Sequence, residues 1–306
     1  MSKKYDVAII GGGPAGVTAS IYIKRAELSC CLIEKEMIGG QINKTSTVEN
    51  YPGYNKITGP DLAMKLYDQI ENLNIDQIYS EVLNIETNKE TKTISLSNGE
   101  KIEAKQIILA LGRKPKKFES NSFKNYEGKG ISFCSLCDGN LYKNEDVSIV
   151  GAGNSALEES LYLADICKTV TIISRTPELR GDKVLIKKIT QKDNINVIYN
   201  ATVEDFIGKD EVLEAIKIKE NEELKELKTK ACFIFIGYEP ATKFLKNLEI
   251  LDEKGYIIVD EEKRTQIKGI YAAGDVVKKE AFQIVTATSD GAIAAISCIK
   301  DIKEVE

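Results

Sequence analysis

Two cysteines separated by two residues, Cys134 and Cys137, are followed directly by Asp138. A Cys-x-x-Cys pair occurs in proteins as a redox-active disulfide, as half of a zinc site, or as two unrelated core thiols. A closed zinc site needs two further ligands, yet the sequence contains no histidine and no second pair of this spacing. The pair therefore favours redox chemistry, leaves two buried structural thiols as the alternative, and predicts no metal site.

Redox chemistry requires a source of electrons, and the N-terminal segment contains a candidate site for one. An apolar stretch at residues 5–10 is typical of a buried parallel strand, and a helix is predicted at 17–26. Between them lies the turn Gly11-Gly12-Gly13-Pro14-Ala15-Gly16. In such a turn Gly11 permits the tight bend, Gly13 lets the backbone approach a pyrophosphate, and Gly16 lets the helix pack closely on the strand.

An acidic residue completes this first module. Glu34 directly follows a predicted strand at 29–33, and a carboxylate at that point of a βαβ unit accepts hydrogen bonds from the ribose hydroxyls of an adenosine. Because strand, glycine turn, helix, strand and acid occur in register, the module predicts an ADP-containing cofactor.

A second module of the same kind begins shortly after the redox pair. A predicted strand at 146–150 leads into the turn Gly151-Ala152-Gly153-Asn154-Ser155-Ala156, and a helix and a further strand complete the module. The second strand ends in Ser174-Arg175-Thr176, with Arg180 further on, rather than in an acid. Cations at this position suit the 2′-phosphate of NADPH better than the free ribose hydroxyls of NADH.

The composition limits the class of protein. The chain has 306 residues, of which 42% are apolar, and at this length a single core usually splits into two domains. The net charge of −5 disfavours a nucleic-acid surface. Seven cysteines, an odd number in a long chain, are unlike an extracellular disulfide framework and favour a reducing cytoplasm. The sequence shows neither an export segment nor an apolar stretch of membrane-spanning length, so no membrane association is predicted.

The remaining segments predict a discontinuous domain. An amphipathic helix is predicted at 59–72, and hairpins are predicted about residues 97–100 and 220–223. The last segment, with a strand at 255–259 and a helix at 285–300, is too short to fold alone, and its simplest packing is against the first module. The predicted domains are therefore 1–115 with 243–306, and an inserted domain at 116–242 that carries the redox pair.

Five motifs follow one another along the chain: Gly11-x-Gly13-x-x-Gly16, Gly39-Gly40-Gln41, Cys134-x-x-Cys137-Asp138, Gly151-x-Gly153-x-x-Ala156 and Tyr271-Ala272-Ala273-Gly274-Asp275. In this order they make the chain resemble the low-molecular-weight, bacterial-type thioredoxin reductases over essentially its full length. The resemblance implies an α/β fold of two Rossmann-like, ββα-type nucleotide-binding domains, with the dithiol and NAD(P)H domain inserted into a discontinuous FAD domain. It also implies a homodimer.

The resemblance further implies which residues form the sites. FAD would be bound by Gly11, Gly13, Pro14, Ala15, Gly16, Glu34, Gly40, Gln41, Asn50, Gly274, Asp275 and Gln283. NAD(P)H would be bound by Gly151, Gly153, Asn154, Ser155, Ala156, Arg175 and Arg180. The catalytic residues would be Cys134, Cys137 and Asp138.

The activity implied by the resemblance is reduction of thioredoxin. Two electrons would pass from NAD(P)H through FAD to the Cys134–Cys137 disulfide and on to thioredoxin, with rotation of the dithiol domain between the half-reactions. Cys137 would face the flavin, and Cys134 would attack thioredoxin. Asp138 would act as the acid, and its alternative role is that of a turn or N-cap aspartate.

Two departures from the family pattern leave the electron donor open. The family's NADPH enzymes have His-Arg-Arg and a further arginine, where this chain has Ser174-Arg175-Thr176 and Arg180. Loss of one phosphate-binding arginine weakens 2′-phosphate recognition by about tenfold or more. NADH and ferredoxin are therefore alternative donors, and a peroxidase or another thioredoxin-like protein is an alternative partner. Phe282 stands where the family usually has an arginine, and packing is the simplest role for it.

Overall fold

The structure is a computed structural model that describes residues 3–45, 47–88, 91–116 and 118–304. The chain divides into two compact units. The first consists of Met1–Lys114 with Glu239–Glu306, and the second consists of Pro115–Tyr238. The domain crossings predicted after residues 115 and 242 lie here after Lys114 and Tyr238.

Strands and helices alternate along much of the described chain. The strands are β1 (Lys3–Ile10), β2 (Cys30–Glu34), β3 (Asp76–Tyr79), β4 (Val82–Thr87), β5 (Lys92–Leu96), β6 (Lys101–Leu109), β7 (Arg113–Pro115), β8 (Ile131–Ser132), β9 (Asp146–Val150), β10 (Thr169–Ile173), β11 (Ile195–Ile198), β12 (Ala201–Lys209), β13 (Val212–Glu220), β14 (Glu223–Lys228), β15 (Ala231–Ile234), β16 (Tyr238–Pro240) and β17 (Ile270–Ala272). The α-helices are α1 (Pro14–Arg25), α2 (Gly59–Asn72), α3 (Phe123–Tyr126), α4 (Ser135–Asp138), α5 (Asn154–Ala164), α6 (Lys183–Thr190) and α7 (Ile284–Lys303). Short 3-10 helices lie at Gly40–Lys44, Gly139–Tyr142, Lys243–Leu248 and Gly274–Val276.

A mostly parallel sheet organises the first unit, with the order β3-β2-β1-β6. Besides β1, strand β6 pairs with two further strands. Its first half pairs antiparallel with β5, and its second half pairs parallel with β17. Val7 and Ile9 pack in one core with α1 and α7, and Ala8 packs in another with β4 and β5. This alternation follows from the two-residue period of a strand. The turn after β1 therefore lies at the carboxyl edge of a sheet whose two faces are both covered.

The second unit has its own parallel sheet, in the order β11-β10-β9-β15-β8. Helices α5 and α6 pack against it around the fully buried Leu157 and Ile172. A separate antiparallel sheet, β12-β13-β14, contributes Phe206 and Leu213 to a core shared with Ile131 of β8. These parallel sheets with covering helices confirm the predicted α/β class.

One predicted strand is wrong, and the α-helices α3, α4 and α6 were not predicted. At 255–259 the chain turns, because Gly255 has a φ of +83° and the N–H of Tyr256 donates to Oδ1 of Asp252 (2.8 Å). The described residues form only isolated bridges there, which join Ile257 to Leu251 and to Val277. Helix α6 follows Asp182, a residue type favoured at N-caps, but this side chain makes no capping hydrogen bond. The predicted hairpin turns are confirmed at β5–β6 and β13–β14. Within the described ranges, every helix is too short or too polar to span a lipid bilayer.

Candidate functional site

The first glycine turn joins β1 to α1. Gly11 has a φ of +107°, and a Cβ on it would lie 2.2 Å from the carbonyl oxygen of Ala110. A Cβ on Gly16 would lie 1.8 Å from the carbonyl oxygen of Gly11, so the fold itself requires both glycines. Gly13 differs, since its φ is −75° and a Cβ on it would have no heavy atom within 4 Å. Its open side is the kind of space that a bound pyrophosphate occupies.

Distant segments bring other predicted FAD residues to this turn. A Cβ on Gly40 would lie 3.3 Å from the Cα of Gly13. A Cβ on Gly274, whose φ is +78°, would lie 2.8 Å from the Cβ of Ala15. Pro14 is the first residue of α1, where a missing N–H costs no helical hydrogen bond. The motifs around Gly40 and Gly274 therefore meet the N-terminal end of α1.

Glu34, predicted to bind ribose, also shapes this turn. Its Oε2 accepts the N–H of Gly12 at 2.6 Å, and its Oε1 accepts the N–H groups of Lys35 (2.8 Å) and Glu36 (2.9 Å). A carboxylate offers about four lone-pair sites, so acceptor capacity remains for ligand hydroxyls. The three backbone donors fix the orientation of this carboxylate at the end of β2.

The predicted residues Asn50 and Gln283 contact each other although they are far apart in the sequence. Nδ2 of Asn50 donates to Oε1 of Gln283 at 3.1 Å. Gln283 also precedes α7, where it forms a capping box with Thr286. The contact therefore fixes the loop of Asn50 at the N-terminal end of the longest described helix.

Arg113, which the sequence analysis missed, joins several of these segments. Its carbonyl oxygen accepts Nε2 of Gln41 (3.0 Å), and its Nη2 donates to Oδ2 of Asp275 (3.2 Å). Its guanidinium carbon lies 3.7 Å from the centroid of the Phe282 ring. A cation-π contact of this kind contributes about 0.5–2 kcal/mol, depending on exposure. Phe282, which precedes α7, thus packs against the guanidinium of an arginine from β7. The resemblance places an arginine in the sequence at position 282 itself.

Asp275 is held in a network of charges. Burial raises its pKa, and the nearby Arg113 and Lys279 oppose that rise. Lys279 also binds Oδ2 of the buried Asp290 (2.7 Å), which in turn accepts the N–H of Gly274 (3.1 Å). Oδ1 of Asp275 is buried and receives no hydrogen bond from the described residues. A fixed carboxylate oxygen in that condition fits a hydroxyl group of a bound cofactor.

The redox pair lies at the start of α4. Cys134 and Cys137 are joined by a disulfide, with their Cα atoms 5.3 Å apart. Sγ of Cys134, the residue that precedes α4, accepts the N–H of Cys137 at 3.1 Å. Cys134 is only 8% exposed, whereas Cys137 is exposed. The resemblance assigns the exposed Cys137 to the flavin and Cys134 to the attack on thioredoxin.

Asp138 is held by Ser132, a second residue that the sequence analysis missed. Ser132 Oγ donates to Oδ2 of Asp138 at 2.6 Å and accepts the N–H of Cys134 at 3.0 Å. Asp138 precedes the 3-10 helix Gly139–Tyr142, but its side chain forms no capping hydrogen bond there. The structure therefore directs this carboxylate to the segment of the redox pair and gives no support to the N-cap alternative.

The other cysteines are unsuited to disulfide exchange. All five are buried and free. Burial raises the pKa of each, to about 11 for Cys30 and Cys167 and to about 12 for Cys232. Since the thiolate is the attacking species, these raised pKa values disfavour exchange at the five buried thiols near neutral pH.

The second glycine turn, between β9 and α5, repeats the first. Gly151 has a φ of +139°, and a Cβ on it would lie 2.3 Å from a backbone carbonyl oxygen. Gly153 has a φ of −91°, and a Cβ on it would have no heavy atom within 4 Å. Helix α5 begins at Asn154, with Ser155 exposed and Ala156 buried against the sheet. The second unit therefore contains the same open space as the first.

The two arginines predicted for NAD(P)H are both exposed. The N–H of Arg180 donates to a backbone carbonyl of the turn itself (2.7 Å). Arg175 lines a cavity of about 450 Å³ together with Glu204 and with Lys219, which is ion-paired with Glu222 in the same lining. Ser174 is buried and accepts the N–H of Thr176 (3.2 Å), so no carboxylate occupies the position where an acid would bind ribose hydroxyls.

Comparison with known proteins agrees with this arrangement. The profile of the pyridine nucleotide-disulphide oxidoreductases matches residues 5–291. The chain belongs to this family. The oxidoreductase is 41% identical to a thioredoxin reductase of Ureaplasma parvum serovar 3, over 95% of both chains. It is 38% identical to one of Listeria monocytogenes serovar 1/2a, over 99% of this chain and 96% of the relative.

A solved structure extends the similarity from sequence to fold. The crystal structure of Lactococcus lactis thioredoxin reductase matches this oxidoreductase with a TM-score of 0.95 and 38% identity, over 98% of this chain and 99% of that one. The resemblance to low-molecular-weight thioredoxin reductases is therefore confirmed. The family implies FAD and a pyridine nucleotide as cofactors. The open sides of Gly13 and Gly153 and the free oxygen of Asp275 fit such ligands.

Proposed function

We propose that this oxidoreductase is a thioredoxin-disulfide reductase that uses FAD as its cofactor and NADPH as its electron donor. The observation that carries the proposal is the Cys134–Cys137 disulfide, which lies in the same unit as the open glycine turn at Gly153. When bound, FAD accepts a hydride from a pyridine nucleotide and passes two electrons to a disulfide. The first unit, with Gly13, would hold FAD, and the second would hold the nucleotide.

The cysteine pair would carry out the exchange with thioredoxin. One thiolate of the reduced pair attacks the thioredoxin disulfide and forms a mixed disulfide. The second enzyme sulfur then attacks this bond, which restores the Cys134–Cys137 disulfide and releases thioredoxin as a dithiol. Asp138 would supply a proton to a departing thiolate. Similarity to thioredoxin reductases over nearly the full chain supports thioredoxin, rather than a peroxidase, as the partner.

We infer NADPH rather than NADH from the residues that follow β10. Arg175 and Arg180 supply two exposed cations after this strand. Serine stands at the position of the usual ribose-binding acid, so the acid that would favour the free 2′-hydroxyl of NADH is missing there. Arginine binds a phosphate through two parallel hydrogen bonds, which compensates in part for the threonine at 176.

Changing Arg175 and Arg180 together to glutamine is expected to raise the NADPH concentration needed for half-reduction of the flavin by at least about tenfold, since each charged hydrogen bond contributes about 1.5–3 kcal/mol. The NADH concentration needed for half-reduction should change by less than about twofold, because NADH lacks the 2′-phosphate. Anaerobic titration of the purified yellow protein, followed at the flavin absorption band, measures both values. Arg25→Gln, at an exposed position in the other unit, is the matched control.

Other outcomes of this titration distinguish the alternatives. If the double substitution raised the concentrations of NADPH and NADH needed for half-reduction equally, the arginines would not recognise the 2′-phosphate. Reduction by NADH alone would make NADH the donor. Reduction by reduced ferredoxin, with neither nucleotide effective, would replace the nicotinamide proposal with a ferredoxin-dependent one.

We also propose that the enzyme is a homodimer formed through its first unit. Val285, Ile293 and Ile296 lie on one side of α7 and are 42%, 36% and 54% exposed, and Tyr22 of the adjacent α1 is 42% exposed. A cluster of exposed apolar side chains on neighbouring helices is typical of an association surface. The dimer would function in the cytoplasm, where the free thiols remain reduced.

Ile296→Glu is expected to weaken this dimer by at least about tenfold, because a buried unpaired charge costs several kcal/mol. Sedimentation velocity across a concentration series measures the dissociation constant. Ile258→Glu is the matched control, since Ile258 is 56% exposed in the same unit but lies outside both helices. A monomeric parent protein, or equal weakening by the two substitutions, would contradict the proposed surface.

A further inference from the structure

Ser132 occupies a fixed position between the redox pair and its acid. It ends β8, where its partner in the parallel sheet is Phe233 of β15, and it is only 7% exposed. A serine hydroxyl has one proton to donate and two lone pairs to accept with. The N–H of Cys134 donates to Oγ at 3.0 Å, and Asp138 Oδ2 lies 2.6 Å from Oγ.

The hydroxyl proton has two possible acceptors, and distance separates them. The carbonyl oxygen of Cys134 lies 3.3 Å from Oγ, whereas Oδ2 of Asp138 lies 2.6 Å away. The shorter distance is close to the usual O–H···O separation of about 2.7–2.8 Å, and the longer one is outside the normal range. The proton therefore goes to Asp138, and a continuous chain runs from the backbone N–H of Cys134 through Ser132 to the carboxylate.

We propose that Ser132 is a positioning residue for the thiol-exchange step, acting through Asp138. This inference rests on the proposed disulfide reductase function. In the step, the second enzyme thiol gives its proton to Asp138 as its sulfur attacks the mixed disulfide. The enzyme S–S bond forms, the intermolecular S–S bond breaks, and Asp138 passes the proton to the departing thiolate. Electrons and protons balance without another reactant, and Ser132 holds the carboxylate in the orientation for both transfers.

A purely structural role for Ser132 makes a different prediction. If Ser132 only anchored the backbone of Cys134, loss of its hydroxyl would lower the rate whether or not residue 138 were a carboxylate. If it acts through Asp138, its loss has little effect once that carboxylate is absent. A double-mutant cycle therefore separates the two roles.

The test uses the full-length holoenzyme with Ser132→Ala, Asp138→Asn and the double variant, and measures kcat and KM for thioredoxin and for an aromatic disulfide over a range of pH. Ser132→Ala is expected to lower kcat by about tenfold with little change in KM, because one charge-assisted hydrogen bond is lost. It should also shift the pH at half-maximal rate. In the Asp138→Asn background the same change should cost less than about twofold. Ser160→Ala, at a buried serine in the same unit that binds its own helix, is the control.

A matched pair keeps the test decisive if the alanine variant folds poorly. Ser132→Thr retains the hydroxyl and should keep activity within about twofold of the parent enzyme. Ser132→Val has the shape of the threonine variant without the hydroxyl and should not. The proposal would be overturned if Ser132→Ala lowered kcat equally with Asp138 present and with Asp138→Asn. Equal activity of the threonine and valine variants would also overturn it. Failure of the parent enzyme on thioredoxin alone would refute the proposed partner, while the aromatic disulfide would still report on Ser132.

Discussion

Replacing Cys137 with serine is expected to lower thioredoxin turnover by at least about 10³-fold, as deletion of an enzymatic nucleophile commonly does. A serine hydroxyl cannot form a disulfide and is not ionised at neutral pH, so no electron pair can pass through position 137. Reduction of the bound flavin by NADPH should stay within about twofold, because neither glycine turn is altered. A thioredoxin-linked assay and anaerobic flavin absorbance measure the two half-reactions separately.

Cys134→Ser should abolish turnover equally, and the two serine variants together assign the sulfurs. If the exposed Cys137 attacks thioredoxin, the reduced Cys134→Ser variant will accumulate a mixed disulfide on a non-reducing gel. If the resemblance assigns the roles correctly, Cys137→Ser will accumulate it instead. Cys167→Ala, which removes a buried thiol of raised pKa, is the control and should remain active. Near-normal turnover by either serine variant would rule out the pair as the electron route.

Alanine at Gly13 is expected to weaken FAD binding by about 5- to 150-fold, the loss that corresponds to an overpacking cost of about 1–3 kcal/mol. The added methyl group would occupy the open side of the turn, where the pyrophosphate is proposed to lie. The apoprotein should not be destabilised, since Gly13 has an ordinary φ of −75° and the methyl group would contact no protein atom. Fluorescence titration of apoprotein with FAD and thermal unfolding measure the two effects.

Gly153→Ala is the matched counterpart in the second unit. It should weaken NADPH binding by a similar factor while leaving FAD affinity unchanged, because its Cβ space is equally open. Gly16→Ala supplies the contrast, since its methyl group would lie 1.8 Å from a backbone oxygen and should destabilise the protein itself. Normal FAD affinity in Gly13→Ala would mean that the open space at this turn is not a pyrophosphate site.

The features that could be predicted from the sequence depend on local physical requirements. A tight turn with a positive φ, as at Gly11, requires a residue without a Cβ, and this requirement is visible in the sequence. Helix α2 begins and ends at the predicted residues, because Thr58 caps it and Pro60 lies in its first turn. The roles of the predicted site residues stay predictions, although the structure brings the residues around Gly13 together.

The features that could not be predicted depend on contacts between distant segments. Arg113 acquires its role from Asp275 and Phe282, more than 160 positions away, and its sequence neighbourhood resembles a basic loop. Its only local signal is a charged residue soon after the buried strand β6. Ser132 lies close to the redox pair in sequence, but only the turn of α4 brings the Asp138 carboxylate back to its hydroxyl.

The burial of the five free thiols limits which cysteines of the chain can be oxidised. An enzyme that handles disulfides is continually exposed to species that oxidise its own cysteines. Here each of those cysteines has a raised pKa and lies inside a core, so it neither competes for the electrons nor forms mispaired bridges. The oxidation state of the chain's cysteines therefore depends on one bond, Cys134–Cys137, which is either closed or open.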